Sequence, residues 1–283
     1  MRVLLVPNLR YEAAVTAACE LSTWLSASGF TPLMTGDDAQ ACGLPALAVS
    51  PTAIGEPALV VALGGDGTIL KAVHLLGEVE VPVLGVNLGH MGFLSGTTAE
   101  NMRDAVETAL AGECRVERRA TLQAHVMMGG REVGRYRALN EVAVMRGASS
   151  RVVRVALTLN DTTISTLDCD GVIVATATGS TAYALSAGGP IVSPDVGCLV
   201  VVPVAPHALG RSAIVAGPSD VVSITLPDPL RREACISVDG DLMPCRRAID
   251  SVRVSRGVHD VLLVKLDGRD FYEVVRSEFY GGQ

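Results

Sequence analysis

The sequence predicts an α/β N-terminal doubly wound domain followed by an all-β, sandwich-like C-terminal domain. Apolar strand-like runs alternate with helical segments in the first part of the chain, which is typical of a parallel sheet with right-handed crossovers. From Arg118 onward, short runs with period-two alternation predict antiparallel strands. The 283 residues suffice for two domains. We place them at 1–115 and 116–259, with a tail of about 260–283 as a candidate to pack back on the first.

The first domain is predicted from six segments in chain order. "RVLLVP" predicts a strand, and the Ala-rich segment 12–27 predicts a helix. "ALVVALGG" predicts the next strand, and "TILKAVHLL" predicts a helix that carries Ile69, Val73 and Leu76 on one face. "VPVLGVNLG" predicts a third strand, and a helix near 101–111 ends the domain. Ligands of such sheets bind at the carboxyl ends of the strands, where glycine-rich turns follow the second and third of these strands.

The second domain is predicted from short strands that are separated by turn residues. These are "TLQAHVMM", "EVAVMR", "VVRVALTLND", "GVIVAT", "CLVVVPV", "VVSITL", "ACISVDG" and "SVRVSR". Such frequent short strands predict a sandwich.

Composition excludes several functional classes. With 49% hydrophobic and 19% charged residues the chain is not a disordered one. A net charge of −7 argues against a nucleic-acid partner, because such partners are bound through basic residues. No apolar run approaches the roughly 20 residues of a bilayer helix, so we expect no membrane partner. Seven cysteines without a C-x-x-C pair favour neither a zinc site nor a disulfide framework, and they fit a cytoplasmic location.

The turn in "VVALGGDGTILKAV" is the first candidate site. Gly64, Gly65 and Gly67 let the backbone approach a phosphate closely, and Thr68 adds a hydroxyl. Asp66 is an acid at a turn suited to anions, so it either caps the helix or has a chemical role. The turn is neither a P-loop nor the G-x-G-x-x-G of hydride-transfer enzymes.

A second glycine-rich segment, "DGVIVATATGSTAYALSAGGPI", covers 170–191. Its clustered hydroxyls suit the ribose and phosphates of a nucleotide, with Tyr183 as an aromatic platform. Ser180 is a candidate hydrolase nucleophile, but Ala182 stands where a G-x-S-x-G elbow needs its last glycine. We therefore favour nucleotide binding over acyl transfer.

Five motifs in this order, "GGDGT", "GVNLGHMGFLS", "NEVAV", "DGVIVATATGSTAYALSAGGPI" and "PHALGRSAIV", closely resemble the NAD kinase family. That family shares its core fold with diacylglycerol and sphingosine kinases and with 6-phosphofructokinases. The resemblance implies ATP-dependent phosphorylation of the adenosine ribose 2′-hydroxyl of NAD, giving NADP. Inorganic polyphosphate is a possible second donor, and the resemblance implies Mg²⁺ or another divalent cation as cofactor.

The resemblance also assigns residues. Asp66 matches the base that accepts the proton of the 2′-hydroxyl, and Gly67 lies against the substrate. Asn140 and Glu141 match the pair near the nicotinamide riboside. Asp170 matches the nucleotide-binding acid of the D-G that opens the long segment. The positions matched to the adenosine, ribose and adenine portions are Thr181, Ala182, Tyr183, Ser186 and Ala205. Arg151 matches a basic position by spacing alone. Homodimers or homotetramers are expected, with no metal ligand assigned.

The chain departs from the family at two acidic positions. Asp168 and Asp241 stand where members often carry Arg or Lys and Gln. An anion near a dinucleotide's phosphates weakens binding unless a cation compensates. Two alternatives therefore stay open: a paralogue that phosphorylates another nucleotide-like or polyol substrate, and a non-catalytic dinucleotide sensor.

Overall fold

The computed structural model describes residues 1–89, 92–147, 152–207, 212–228, 234–244, 248–266 and 268–281. It divides into two compact units. Unit 1 contains Met1–Arg118 and Val261–Gln283, and unit 2 contains Arg119–Asp260. Both ends of the chain therefore contribute to unit 1.

Unit 1 alternates strands with helices along its N-terminal part. The strands are β1 (Arg2–Pro7), β2 (Thr31–Thr35), β3 (Ala48–Val49), β4 (Leu59–Leu63), β5 (Pro82–Asn87), β6 (Thr97–Thr98) and β7 (Arg115–Arg119). The helices are α1 (Glu12–Ala27), α2 (Gly36–Ala41), α3 (Asp66–Leu76) and α4 (Met102–Ala111).

Unit 2 consists of antiparallel strands with one short helix. The strands before the helix are β8 (Leu122–Met128), β9 (Arg131–Ala138), β10 (Glu141–Arg146), β11 (Val153–Leu159), β12 (Thr162–Cys169) and β13 (Gly171–Thr176). Helix α5 (Tyr183–Ser186) follows. The later strands are β14 (Leu199–Val204), β15 (Ile214–Ala216), β16 (Val222–Thr225), β17 (Ala234–Val238), β18 (Asp241–Leu242) and β19 (Ser251–Arg256).

The chain then returns to unit 1 with β20 (Val261–Lys265) and α6 (Phe271–Val275), which continues as one π-helical turn, Arg276–Tyr280. The unit 1 sheet has the order β3-β2-β1-β4-β5-β20-β7, with β6 paired to β5. Strand β1 pairs in parallel with β2 and β4, and β5 pairs in parallel with β4 and β20. The C-terminal strand β20 thus lies inside the N-terminal sheet, between β5 and the edge strand β7.

Periodic apolar residues explain the helices of unit 1. In α3, Ile69, Val73 and Leu76 are all buried, so the predicted apolar face is confirmed. In α1, the buried positions include Leu21 and Leu25, four residues apart and therefore on one face. Both helices cover strands that are apolar over most of their length, which is typical of a parallel sheet buried on both faces.

Unit 2 is a sandwich of two six-stranded sheets. Their orders are β15-β14-β13-β10-β17-β18 and β12-β11-β16-β19-β8-β9. Inward side chains of both sheets form one apolar cluster, for example Val144 and Val174 from the first sheet with Val155 and Val252 from the second. The two-domain fold class predicted from the sequence is confirmed.

Four strands of unit 2 were not predicted: β9, β12 and the short strands β15 and β18. Strand β9 reads "REVGRYRA" and β12 reads "TTISTLDC", and each lies at an edge of the second sheet. Their polar composition suits an edge strand but conceals the apolar alternation that the prediction used.

Among the described residues, no helix combines the length and the apolar character that crossing a bilayer requires.

Candidate functional site

The glycine turn lies between β4 and α3. The N–H of Gly64 donates to the carbonyl of Val86 on the neighbouring strand β5, at 3.0 Å. Gly64 has a φ of +152°, and a Cβ there would overlap the hydroxyl of Thr68. The turn therefore depends on glycine, and it places Asp66 in the first turn of α3. Gly67 is exposed, Gly65 is half-buried, and Thr68 is buried within unit 1.

The carboxylate of Asp66 is held by the segment that follows β5. Its Oδ2 accepts the N–H of Phe93 at 3.0 Å, and its Oδ1 accepts the N–H of Leu94 at 3.2 Å. A Cβ on Gly92 would overlap this carboxylate. The second family motif, "GVNLGHMGFLS", therefore supplies the backbone donors that fix the acid of the first; His90 and Met91 lie outside the described residues.

Opposing effects act on the pKa of Asp66. Burial raises it above its ordinary value, and the negative charge of Glu278 adds a smaller increase. The two backbone N–H groups and the positive charge of Lys265 lower it. Because a raised pKa lies nearer to neutral pH, this carboxylate is better suited to accept a proton than an exposed aspartate is.

Two further polar groups of unit 1 are buried without a partner among the described residues. They are the Nδ2 of Asn87 and the Oγ of Ser95, which are 5% and 1% exposed. Asn87 Oδ1 accepts the N–H of Gly89 at 2.8 Å, which fixes the orientation of the amide. An amide N–H group without a protein partner is available to a ligand acceptor.

In unit 2, the turn before β10 is held by Asp239. Its carboxylate accepts the N–H groups of Leu139, Asn140 and Glu141 at 2.8, 2.7 and 3.1 Å. Asp239 adopts a left-handed conformation with a φ of +49°. Asp tolerates this region better than most residues, so the D-G turn after β17 can aim its acid at a distant segment.

The long hydroxyl-rich segment holds the same turn from the other side. The hydroxyl of Thr176 donates to the carbonyl of Leu139 at 2.7 Å, and the N–H of Thr176 donates to the carbonyl of Asn140 at 2.9 Å. A Cβ on Gly179 would overlap the backbone of Asn140. Asn140 and Glu141 are thus placed by backbone contacts on both sides.

Glu141 is a buried carboxyl group in this turn. It is 6% exposed, and its Oε2 has no partner among the described residues. Burial, and second the negative charge of Asp239, raise the pKa of Glu141 to about 7, although a hydrogen bond from the N–H of Tyr183 opposes them. The group is therefore protonated in a large fraction of molecules at neutral pH, and it can then donate a hydrogen bond.

The remaining residues of the hydroxyl-rich segment differ in access. Tyr183 and Ser186 are exposed, while Thr181 and Ala182 are half-buried. Ser180 is fully buried: its hydroxyl donates to the carbonyl of Val192 and accepts the N–H of the same residue. A hydroxyl held in this way cannot reach a substrate, so the hydrolase alternative for Ser180 is wrong.

A second cluster lies at the other end of the same sheet. Asp170 precedes β13, and its carboxylate pairs with Arg146 at 2.8 Å. Its N–H donates to the carbonyl of Val204, which places Asp170 beside Ala205, an exposed residue with a φ of +44°. Because Glu141 and Met145 stand four residues apart on β10, the two clusters are separated by about 14 Å along the strand.

Tyr183 bridges the distance between the two clusters. Its hydroxyl contacts the sulfur of Met145 at 3.9 Å, while its backbone N–H contacts Glu141. The ring therefore lies along β10, between the Asn140 end and the Asp170 end. This surface of unit 2 suits an elongated ligand with an aromatic group.

The acidic departures from the family differ in their surroundings. Asp168 accepts two hydrogen bonds from Arg154 on the neighbouring strand, both at 3.1 Å, so an arginine compensates its charge. Asp241 begins β18 and is exposed. The predicted basic residue Arg151 lies outside the described residues.

Sequence reasoning missed the supporting residues Gly92 and Asp239. Gly92 is one of several glycines after β5, and only its approach to Asp66 distinguishes it. The dipeptide Asp239-Gly240 is a turn signal, but it does not indicate which backbone the acid contacts. In both cases the partner lies far away in the sequence.

Comparison with known proteins agrees with this geometry. Family models described as ATP-NAD kinase N-terminal domain and ATP-NAD kinase C-terminal domain match residues 3–114 and 139–266. An NAD kinase of Symbiobacterium thermophilum is 39% identical over 98% of both chains. An NAD kinase of Geobacter metallireducens is 38% identical over 94% of this chain and 93% of its own.

Solved structures agree as well. A yeast NADH kinase in complex with NADH has a TM-score of 0.90 at 25% identity, covering 100% of this chain and 88% of its own. An NAD kinase from Archaeoglobus fulgidus in complex with ATP has a TM-score of 0.74 at 24% identity, covering 98% of this chain and 99% of its own, and supports the fold. With both family models matched in order and relatives similar along nearly the whole length, this chain belongs to the NAD kinase family.

Proposed function

We propose that the protein transfers the γ-phosphoryl group of ATP to the 2′-hydroxyl of the adenosine ribose of NAD, giving NADP. The observation that carries this proposal is the Asp66 carboxylate, fixed by two backbone N–H groups beside a glycine turn. A carboxylate with a raised pKa is suited to accept the proton of an attacking alcohol.

In this mechanism Asp66 orients the 2′-hydroxyl and takes its proton as the oxygen attacks the γ-phosphorus, while the bond from that phosphorus to the bridging oxygen breaks and ADP leaves. The backbone of Gly64, Gly65 and Gly67 approaches the phosphates, with the amide of Asn87 as a further donor. A divalent cation bound together with the nucleotide would neutralise charge on its phosphates, which is how proteins usually hold Mg²⁺. No group of three acidic, His or Cys side chains among the described residues is placed to hold a metal ion alone.

For unit 2 we propose that NAD lies along β10 and β13. Asn140 and Glu141 bind at one end; a protonated Glu141 donates a hydrogen bond, and Tyr183 packs against a ring of the ligand. The other positions assigned to the ligand are Asp170, Thr181, Ala182, Ser186, Ala205 and Arg151. The pairing of Asp168 with Arg154 removes part of the reason to expect another acceptor.

Three finer expectations belong to the same proposal. Polyphosphate is a possible alternative donor. The protein assembles as a homodimer or homotetramer, which light scattering of the purified protein measures. It works in the cytoplasm, as expected from cysteines that favour neither a disulfide framework nor a zinc site.

The decisive experiment incubates purified protein with NAD, ATP and Mg²⁺ and measures NADP with an NADP-specific dehydrogenase. Asp66→Asn cannot accept the proton, so kcat should fall by about 10²- to 10⁴-fold. The affinity for NAD, measured by calorimetry, should change little.

Asp37→Asn is the matched control, because Asp37 is an exposed acid in the first turn of α2. It should retain wild-type kcat. Full turnover by Asp66→Asn, or tight NAD binding by the wild type with no product at any Mg²⁺ concentration, would refute the proposed function; the second result would favour the sensor alternative.

A further inference from the structure

The chain has two lysines, Lys71 and Lys265, and Lys265 lies at the end of β20. Its Nζ donates to the carbonyl oxygens of Phe93 and Ser95 at 3.2 and 2.6 Å. Such charge-assisted hydrogen bonds are stronger than neutral ones. Lys265 therefore fixes the segment after β5 by donating hydrogen bonds to the backbone carbonyl groups of that segment.

The same short segment holds Asp66 by its N–H groups. The N–H groups of Phe93 and Leu94 donate to the two carboxylate oxygens. The N–H and C=O of one trans peptide point in opposite directions, so the peptide between Phe93 and Leu94 presents its C=O to Lys265 and its N–H to Asp66. A shift of its carbonyl groups would move the donors of Asp66 as well.

Further contacts fix the segment to the C-terminal part of the chain. A Cβ on Gly96 would overlap the carbonyl of Val264, and the N–H of Leu266 donates to the carbonyl of Gly96 at 3.2 Å. The ring of Phe93 packs against Phe279 with 5.8 Å between centroids. Residues from β20 to the end of the described chain thus support the segment that positions Asp66.

We propose that Lys265 is a positioning residue for the phosphoryl transfer, holding the Phe93–Ser95 backbone so that its N–H groups fix the Asp66 carboxylate. The proposal rests on the proposed function, because it assigns Asp66 the proton transfer. According to this proposal, the charge of Lys265 at the end of β20 determines both the position and the proton affinity of Asp66 on α3.

The charged groups that act on Asp66, among the described residues, are Lys265 on β20 and Glu278 in the final π-helical turn. They have opposite effects, since Lys265 lowers the pKa of Asp66 and Glu278 raises it. Removing the lysine's charge should therefore move the acidic limb of the kcat/KM profile to higher pH. Glu278→Gln should move the limb to lower pH.

The test uses the full chain with Lys265→Met, Lys265→Arg and a control for the other lysine. Lys265→Met should lower kcat by about 10²-fold, because small misplacements of a catalytic group have effects of this size, while KM for NAD stays near the wild-type value. Lys265→Arg should restore part of the loss, since a guanidinium also donates to carbonyl groups. Among these variants, the acidic limb of the kcat/KM profile should shift only in Lys265→Met and Glu278→Gln.

The control is Lys71→Met combined with Asp38→Asn. Lys71 pairs with the buried Asp38 at 2.6 Å, so changing both leaves no buried charge unpaired. This variant loses a lysine of the same unit and should keep the wild-type pH limb and kcat. An equal loss of kcat and an equal limb shift in the control would overturn the proposal, as would an unchanged profile in Lys265→Met.

Hydrogen exchange provides a readout that needs no turnover. The peptide covering 92–96 should exchange about tenfold faster in Lys265→Met than in the wild type or the control, because its backbone loses a support. If the wild type makes no NADP, the proposed function fails, and exchange alone decides whether Lys265 holds this segment. Unchanged exchange in Lys265→Met would overturn the positioning role even in an active enzyme.

Discussion

The two units use a carboxylate at a turn in opposite ways. In unit 1, the acid that accepts backbone N–H groups is Asp66, the residue proposed to do the chemistry. In unit 2, the acid that accepts them is Asp239, and the residues it positions are Asn140 and Glu141. Asp66 is held in place by a loop, whereas Asp239 holds a loop in place.

The electrostatic surroundings of the functional acids differ accordingly. The pKa values of Asp66 and Glu141 are both raised chiefly by burial. For Asp66 the cation Lys265 opposes the effect, but for Glu141 the anion Asp239 adds to it. The comparison teaches that the balance between burial, hydrogen-bond donors and neighbouring charges decides whether a carboxyl serves as proton acceptor or as hydrogen-bond donor.

Replacing Asp239 should have the largest effect on stability, because it removes the acid that holds the turn before β10 in unit 2. In Asp239→Ala three N–H groups lose their acceptor, and at about 1–3 kcal/mol for each unsatisfied group the free energy of unfolding should fall by about 4 kcal/mol. Asp239→Asn should recover part of this, because Asn retains one acceptor oxygen and tolerates the left-handed conformation. Urea unfolding measures both.

The control for this prediction is Asp220→Asn. Asp220 accepts the N–H of Gly217 at 2.7 Å at another turn of the sandwich. Asp220 also accepts the side-chain amide of Asn160 at 3.0 Å, but the carboxylate is partly exposed to solvent and Asn keeps one acceptor oxygen, so this variant should stay close to wild-type stability. If Asp239→Ala were no less stable than this control, Asp239 would not hold the turn.

A smaller effect should appear in the pH dependence of stability. The pKa of Glu141 is about 7 in the folded protein and its ordinary value is 4.5, so the folded state binds the proton more tightly. This contribution is full below pH 4.5 and is lost as pH rises towards about 7, a decrease of about 3 kcal/mol in the free energy of unfolding. Glu141→Gln stays neutral and should lack this decrease.

Urea unfolding at a series of pH values measures how steeply the free energy of unfolding falls with pH in the wild type and in Glu141→Gln. Glu132→Gln serves as control, since Glu132 is an exposed acid on β9 whose pKa is lowered by Arg135 and His125. It should keep the wild-type decrease above pH 4.5. Equal slopes for Glu141→Gln and the wild type in this window would show that Glu141 is ionised in the folded protein at neutral pH.

Sequence reasoning recovered elements with strong local periodicity. Helix α1 and strand β13 have the predicted bounds, because their apolar spacing matches a helix and a buried strand. Strand β9 was missed because three arginines interrupt its alternation, and they are tolerated only because the strand lies at a sheet edge. Edge position is a property of the assembled sheet and is not encoded in a window of eight residues.

The same limit applies to the site. Asp66 stands in a dense local motif, so its proposed chemical role was inferred from consecutive residues and from the family resemblance they carry. Asp239 lies 100 residues from Leu139, and Lys265 lies 172 residues from Phe93, so their contacts exist only in the folded chain. The proposed reacting group can thus be named from the sequence, while the groups that place it are found only from the structure.

Gly92→Ala gives the smallest expected effect and sharpens the unit 1 side of the comparison. The added Cβ would overlap the Asp66 carboxylate, which must then shift away from the N–H groups of Phe93 and Leu94. We expect about a tenfold fall in kcat, or about 1.4 kcal/mol in the barrier, measured as NADP formation with little change in thermal stability. Gly89→Ala is the matched control, because a Cβ there meets no described atom within 4 Å. If Gly92→Ala kept wild-type kcat, the Asp66 carboxylate would need no fixed position. The contrast between Asp66, which a loop holds, and Asp239, which holds a loop, would then be lost.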